Sequence, residues 1–222
     1  MKNTSNNKSG FTIVELLVAM AISLVVMGSI YSVYRSQQKS YLVQEQVAVM
    51  QQNLRAGMTM LTRDIRMAGY NPPLATNPFA TTTLGITSAS PNALQFTRFD
   101  PVTTTVETIS YALQNNDLFR NDDGVNQLVA ENIDALNFVY LNQSGTVLDD
   151  DGDGNVTANI PNISSIQVTM IARTGRADLG YVNSDVYSNQ QGTPVFPSDG
   201  NPVNDNFRRR ALNREIKCRN LP

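Results

Sequence analysis

Residues 8–34 read KSGFTIVELLVAMAISLVVMGSIYSVY, and this stretch decides the fold. Between Phe11 and Tyr34 there is one charged residue, Glu15, in 24 positions. A helix of about 20 apolar residues is enough to cross the hydrocarbon of a bilayer, so residues 11–34 predict a membrane-spanning helix. A secretory signal has a shorter apolar core and a small-residue cleavage site behind it. Here the small-residue junction, Gly10 followed by Phe11, lies in front of the apolar run. Ahead of it, residues 1–10 (MKNTSNNKSG) are polar and carry Lys2 and Lys8. An acidic residue near the centre of a bilayer costs about 3 kcal/mol, so Glu15 needs a partner or a task. A cut after Gly10 leaves Phe11 with a positively charged α-amine about one helical turn from that carboxylate. In an assembly, the amine of one subunit can then neutralise Glu15 of its neighbour. Lys2 and Lys8 on one side balance Arg35 and Lys39 on the other, so charge sets no orientation.

The run from Lys8 to Leu16 (KSGFTIVEL) resembles the type III signal of type IV prepilins and of type II secretion pseudopilins. The resemblance implies cleavage between Gly10 and Phe11 by a prepilin peptidase, a membrane-embedded aspartic enzyme acting on the cytoplasmic side. It also implies methylation of the new Phe11 amine with S-adenosylmethionine as donor, and a role for Glu15 in subunit assembly. It places the chain in a bacterial inner membrane as a single-pass protein, amino end in the cytoplasm and the remainder outside, before entry into a pilus or pseudopilus. Residues 52–70 (QNLRAGMTMLTRDIRMAGY) resemble PilW-type minor pilins and, less closely, J-type minor pseudopilins of type II secretion. The implied partners are the peptidase, other major and minor pilins, an inner-membrane assembly platform and, before assembly, membrane lipid. A larger size than the major pilins and the lack of a disulfide pair favour a minor component. Two other tasks stay open: a tip pseudopilin of a secretion system, or a membrane-anchored calcium-dependent adhesive module with the helix as tether.

The helical period continues past Tyr34. Val47, Met50, Leu54, Met58, Leu61, Ile65 and Ala68 recur at steps of three and four, a stripe on one face. Gln51, Gln52, Arg55, Arg63, Asp64 and Arg66 fill the rest, with Arg63 or Arg66 placed to pair with Asp64 or to bond the last carbonyls. Gly69 stands where a left-handed residue ends a helix, and Asn71-Pro72-Pro73 forbids continuation. One helix over about 12–68 follows, near 85 Å at a rise of about 1.5 Å per residue. Strands are expected at 94–99, 108–113, 118–120, 133–141, 165–173 and 209–219, with a strong turn at Asn121-Asp122-Asp123-Gly124. Closely spaced strands without helical patterns between them predict an antiparallel sheet packed on the helix, an α+β pilin-like fold. The expected organisation is a leader at 1–10, a membrane and filament-core segment at 11–34, an amphipathic helix at 35–70 and a β domain at 71–222.

Composition narrows the chemistry. The 222 residues include no His, no Trp and a single Cys, Cys218, which we expect buried in a strand. This removes imidazole catalysis, a His-ligated metal and any intramolecular disulfide, and no nucleophile has a visible base, so the chain reads as no enzyme and needs no cofactor. The richest acidic run is residues 149–155 (DDDGDGN): Asp149, Asp151, Asp153 and Asn155 follow half of a calcium loop, with Gly154 for the turn. The position that supplies a bidentate Glu in such loops holds Ile160. The alternative for this run is a solvated hairpin. Arg208, Arg209, Arg210, Arg214, Lys217 and Arg219 form a basic group at the other end. Such side chains guard an edge strand and can meet acidic loops of a neighbouring subunit. Only Phe207 interleaves with them, which argues against nucleic acid, as does the net charge of −2.

Overall fold

The computed structural model describes residues 10–73 and 83–221. Residues 1–9, which hold Lys2, Lys8 and nearly all of the expected leader, lie outside the described residues, as do residues 74–82. By internal contacts the chain forms two compact units, residues 1–45 and 46–222.

A single helix, α1 (Ile13–Met67), accounts for the described part of the first unit and opens the second. In the first unit its side chains are exposed all round, Phe11, Ile13 and Val25 among the most exposed. The helix is long and apolar enough there to cross a membrane. Two of its hydroxyls turn back onto the ladder: Ser23 Oγ donates to the carbonyl of Ala19 at 2.7 Å, and Ser29 Oγ to that of Val25 at 2.9 Å. An apolar solvent offers no other acceptor, so this local bond is what makes serine tolerable in such a helix.

In the second unit the expected stripe is buried: Met50, Leu54, Met58, Leu61, Ile65 and Ala68 all fall in the core. Gly57 sits among them because a Cβ there would lie 3.1–3.2 Å from Met170 and Leu118. The helix ends as anticipated at Gly69, with φ of +76°, but its N–H donates to the carbonyl of Thr97 on a strand, at 2.9 Å. Asn220 Nδ2 then takes the carbonyl of Arg66 at 2.9 Å, so the chain's own carboxyl end satisfies the last turn.

The strands are β1 (Ile86–Ala89), β2 (Ala93–Asp100), β3 (Thr105–Gln114), β4 (Asp117–Asp122), β5 (Val125–Ala130), β6 (Ile133–Leu141), β7 (Val147–Leu148), β8 (Ser165–Arg173), β9 (Tyr187–Ser188), β10 (Pro194–Phe196) and β11 (Arg209–Lys217). Where one antiparallel sheet was expected, the described residues form three: a meander in the order β1-β2-β3-β4-β5, a sheet in the order β11-β8-β6-β7, and the pair β10-β9. The expected turn is the β4–β5 connection, with Asp123 and Gly124 both at positive φ as a two-residue primed turn requires. The main sheets adjoin where Ile133 N–H donates to the carbonyl of Asn116 (2.7 Å) and Phe138 N–H to that of Pro91 (2.8 Å). Phe96, Phe99, Ile109, Tyr111, Phe138, Tyr140, Ile166 and Val168 fill the core.

Two local expectations need correction. Asp64 pairs with neither Arg63 nor Arg66: it falls between Leu61 and Ile65 on the buried face, while both arginines face solvent. Cys218 is buried, but one residue past the end of β11, where its N–H donates to the carbonyl of Ser164 at 2.9 Å.

Candidate functional site

The amino-terminal site is built on the first turn of α1. Gly10 and Phe11 are exposed, and Thr12 precedes the first helical residue. Glu15 N–H donates to Thr12 Oγ1 at 3.2 Å, and Thr12 N–H donates back to Glu15 Oε2 at 2.9 Å. Thr12 Oγ1 also donates to the same Oε2, at 3.0 Å. This reciprocal capping box satisfies amide donors that the helix cannot satisfy itself. The carboxylate also sits at the positive end of the helix dipole. Thr12 is the residue that sequence reasoning missed, although its signal was present: Thr12-Ile13-Val14-Glu15 is the S/T-x-x-E pattern ahead of an apolar run.

The acidic run forms an exposed loop after β7, closed by the pairing of Val156 with Ala89. One carboxylate oxygen from each of Asp149, Asp151 and Asp153 lies within 4.8 Å of the other two. A calcium ion with bonds of about 2.4 Å spans such a set, so this triad can hold a metal. Asp149 is already the hub of the turn, accepting from the amides of Gly152 (2.7 Å) and Gly154 (3.2 Å). Asn155 turns its side-chain amide onto Asp153. The neighbouring Asp153 carboxylate pushes the Asp151 pKa up, while bonds from Asn155 hold Asp153 below its usual range. Asp150 faces away. It accepts from Asn159 Nδ2, from Thr157 N–H and Oγ1 and from Ala158 N–H, bonds that hold its carboxyl far below the usual range. Ile160, where a bidentate acid belongs, begins a 3₁₀ turn instead.

The basic group divides into two. Arg208 and Arg209 are committed inside the domain. Arg208 Nη2 lies 2.8 Å from Asp178 Oδ2 with its guanidinium over Tyr181, and Arg209, 3% exposed, lies 2.6 Å from both Asp134 and Asp205. Arg210, Arg214 and Lys217 are exposed along β11, an outer strand of its sheet, where they guard an edge as expected. A further charged centre was not foreseen. Asp64 Oδ2 accepts from Arg120 Nε and from Tyr111 Oη, both at 2.7 Å, and Asp64 Oδ1 lies 3.5 Å from Arg98. Burial first, and the Asp64 charge second, push the Tyr111 hydroxyl far above its ordinary pKa. These groups hold the helix to the meander and line no reaction site.

Comparison with known proteins agrees with this geometry at both ends. Residues 5–31 match the prokaryotic N-terminal methylation motif. The fold is similar to that of a type IV-like pilin from Thermus thermophilus, with a TM-score of 0.54 and 16% identity over 77% of this chain and 96% of that one. At that identity the likeness speaks for the fold alone. No curated protein sequence matches the chain. An apolar amino-terminal helix behind a methylation motif fits anchoring in an inner membrane. The chain thus carries the prokaryotic N-terminal methylation motif at the head of a fold similar to that of a type IV-like pilin.

Proposed function

We propose that this chain is a minor pilin, cut between Gly10 and Phe11 by prepilin peptidase, methylated on the Phe11 amine, and assembled into a type IV pilus or used to prime one. In this reading the leader ends at residue 10, residues 11–34 are held first in lipid and then in the filament core, and the β domain lies outside the inner membrane. Other pilins and an inner-membrane assembly platform are its partners. The observation that carries the reading is the meeting of three features in one turn: the methylation motif over residues 5–31, the fully exposed apolar helix, and Glu15 at its start. A tether needs the second feature alone. Glu15 Oε2 is engaged by Thr12, and Oε1 is the oxygen through which a neighbouring Phe11 amine pairs.

Intact-mass analysis of the membrane-extracted protein tests the processing steps. Loss of residues 1–10 with gain of one methyl group is expected, and Gly10→Val should leave an uncut species. Glu15→Ala should leave processing intact and reduce incorporation into filaments. Normal piliation with that variant removes the assembly role.

The Asp149, Asp151 and Asp153 triad supports a second, compatible reading, calcium binding that stiffens the loop. Asp151→Ala should then lower thermal stability in calcium and leave it unchanged in chelator. Equal melting of the unaltered chain in both conditions removes this reading.

A further inference from the structure

We propose that the cleft beside the carboxyl end of α1 receives the acidic loop, residues 149–155, of a second copy of this chain. The cleft encloses about 650 Å³ and is lined by Arg63, Arg66, Arg98, Arg219, Tyr70 and Asp100 among others. Of these arginines, Arg98 is spent on Glu107 and Asp64, at 3.1 and 3.5 Å. Arg63, Arg66 and Arg219 are exposed and form no ion pair among the described residues. The acid on the rim, Asp100, is turned onto its own loop, where Val102 N–H (2.9 Å) and Thr103 Oγ1 (3.0 Å) donate to it. Three guanidinium groups from the helix end and the carboxyl-terminal segment, none of them ion-paired among the described residues, therefore line one concavity in a chain whose net charge is −2.

The matching feature is convex and of opposite sign. Asp150 is satisfied inside its loop and faces away, while Asp151 and Asp153, the latter also accepting from Asn155, stand exposed side by side at the tip. Two carboxylates held that closely repel each other, and a forked guanidinium relieves them with paired, charge-assisted bonds. The loop borders a separate depression with Pro91, Asn137 and Asn189, and that depression shares no residue with the arginine cleft. One copy can therefore offer its loop while accepting another. Such a heterologous contact runs head to tail and, where its rotation does not close a ring, propagates as a filament does. A nucleic acid fits the cleft less well: Phe99 is 2% exposed and Tyr70 half-buried, so no aromatic face is open for base stacking.

The inference takes its setting from the pilin reading above, and its test is independent of that reading. Full-length protein in detergent is followed by sedimentation velocity at low and high salt. Two charge-reversed forms are compared with the unaltered chain: Arg63→Glu/Arg66→Glu/Arg219→Glu, and Asp151→Lys/Asp153→Lys. All five positions are exposed, so both forms should fold. Each form alone should self-associate roughly tenfold more weakly than the unaltered chain, and salt should erase the difference. An equimolar mixture should regain association, because each form then presents the partner charge the other lacks. Unchanged association in either form, or a mixture that fails to recover, overturns the contact. So does a single-stranded oligonucleotide that binds the unaltered cleft, loses affinity to the arginine reversals and leaves self-association untouched. Normal incorporation of Glu15→Ala in cells would instead count against the pilus reading, whatever the charge-swap result.

Discussion

Asp64→Ala should be the most damaging single substitution in the β unit. The carboxylate is buried, takes bonds from Arg120 and Tyr111 at 2.7 Å each, and lies 3.5 Å from Arg98. Arg120 is itself 4% exposed and, when Asp64 is gone, keeps Asp122 at 2.6 Å and the weaker bond to Gln127 at 3.5 Å. Removing one member of a buried ion pair costs about 3–5 kcal/mol, because the other charge stays behind without its partner. A domain of this size has on the order of 5–15 kcal/mol in total, so roughly a fifth or more of its stability is at stake. At about 2–4 °C per kcal/mol for a chain of this length, thermal unfolding of the full chain in detergent should begin some 6–20 °C lower. Tyr111→Phe loses one bond to a charged group and should cost about 1.5–3 kcal/mol. The double variant Asp64→Leu/Arg120→Leu should cost much less than its two single changes combined, since neither charge of the buried pair is then left behind without the other. An Asp64→Ala midpoint within about 2 °C of the unaltered chain, or strictly additive single effects, would refute the reasoning.

Other consequences are more local. Gly69→Ala forces a side chain at φ of +76° and sets a Cβ 2.8 Å from the carbonyl oxygen of Asn220, so a loss of about 2 kcal/mol or more is expected in denaturant unfolding. Thr12→Ala should cost about 1 kcal/mol at the helix start, seen as faster amide exchange in the first turn and an unshifted unfolding midpoint of the β unit. Burial pushes the Cys218 thiol up to about 12, so maleimide at pH 8 should label it only after denaturation. Arg209 holds Asp205 below its usual carboxylate range, so the unfolded chain takes up that proton first. Its stabilising contribution is complete above about pH 4 and is lost as the pH falls further; Asp205→Asn should flatten the acid limb of the stability curve.

The helix was legible because its signals are local and redundant. A 3.6-residue stripe, a glycine at the stop and two prolines behind it all point to one boundary, and α1 ends within a residue of it. The edges of β6 and β8 were equally plain, since alternating apolar residues bounded by polar turns leave little freedom. The division into separate sheets was not legible, because periodicity reports which face is buried and not which neighbour covers it. Strand β8 illustrates this: Gln167 and Thr169 are buried too, because the segment around Gln191 lies over that face and donates to Gln167 at 2.8 Å. Asp64 was misplaced for a related reason. A charged residue in an amphipathic pattern is read as solvent-facing, and only the fold brings Arg120, 56 positions away, to meet it. The arginine cleft was half visible as a basic carboxyl end. Its pairing with Arg63 and Arg66 needed the chain terminus to return to the end of α1, as the Asn220 bond to Arg66 records.

The capping box changes how the energetics of Glu15 should be weighed. An acid well inside a bilayer costs about 2.5–3.5 kcal/mol on insertion scales. A Thr cap with its reciprocal Glu recovers about 0.5–2 kcal/mol by satisfying amide donors that lipid cannot. The difference, roughly 1–3 kcal/mol, stays unfavourable, so the cap makes the monomer tolerable in the membrane without making it content there. Thr12 also fixes the rotamer of Glu15, so in the proposed assembly little side-chain entropy would remain to be lost on pairing with a neighbouring amine. Thr12→Ala should therefore reduce filament incorporation by a smaller factor than Glu15→Ala, and Thr12→Ser should restore it. If Thr12→Ala assembles as well as the unaltered chain, the cap serves the helix alone and the preorganisation argument fails.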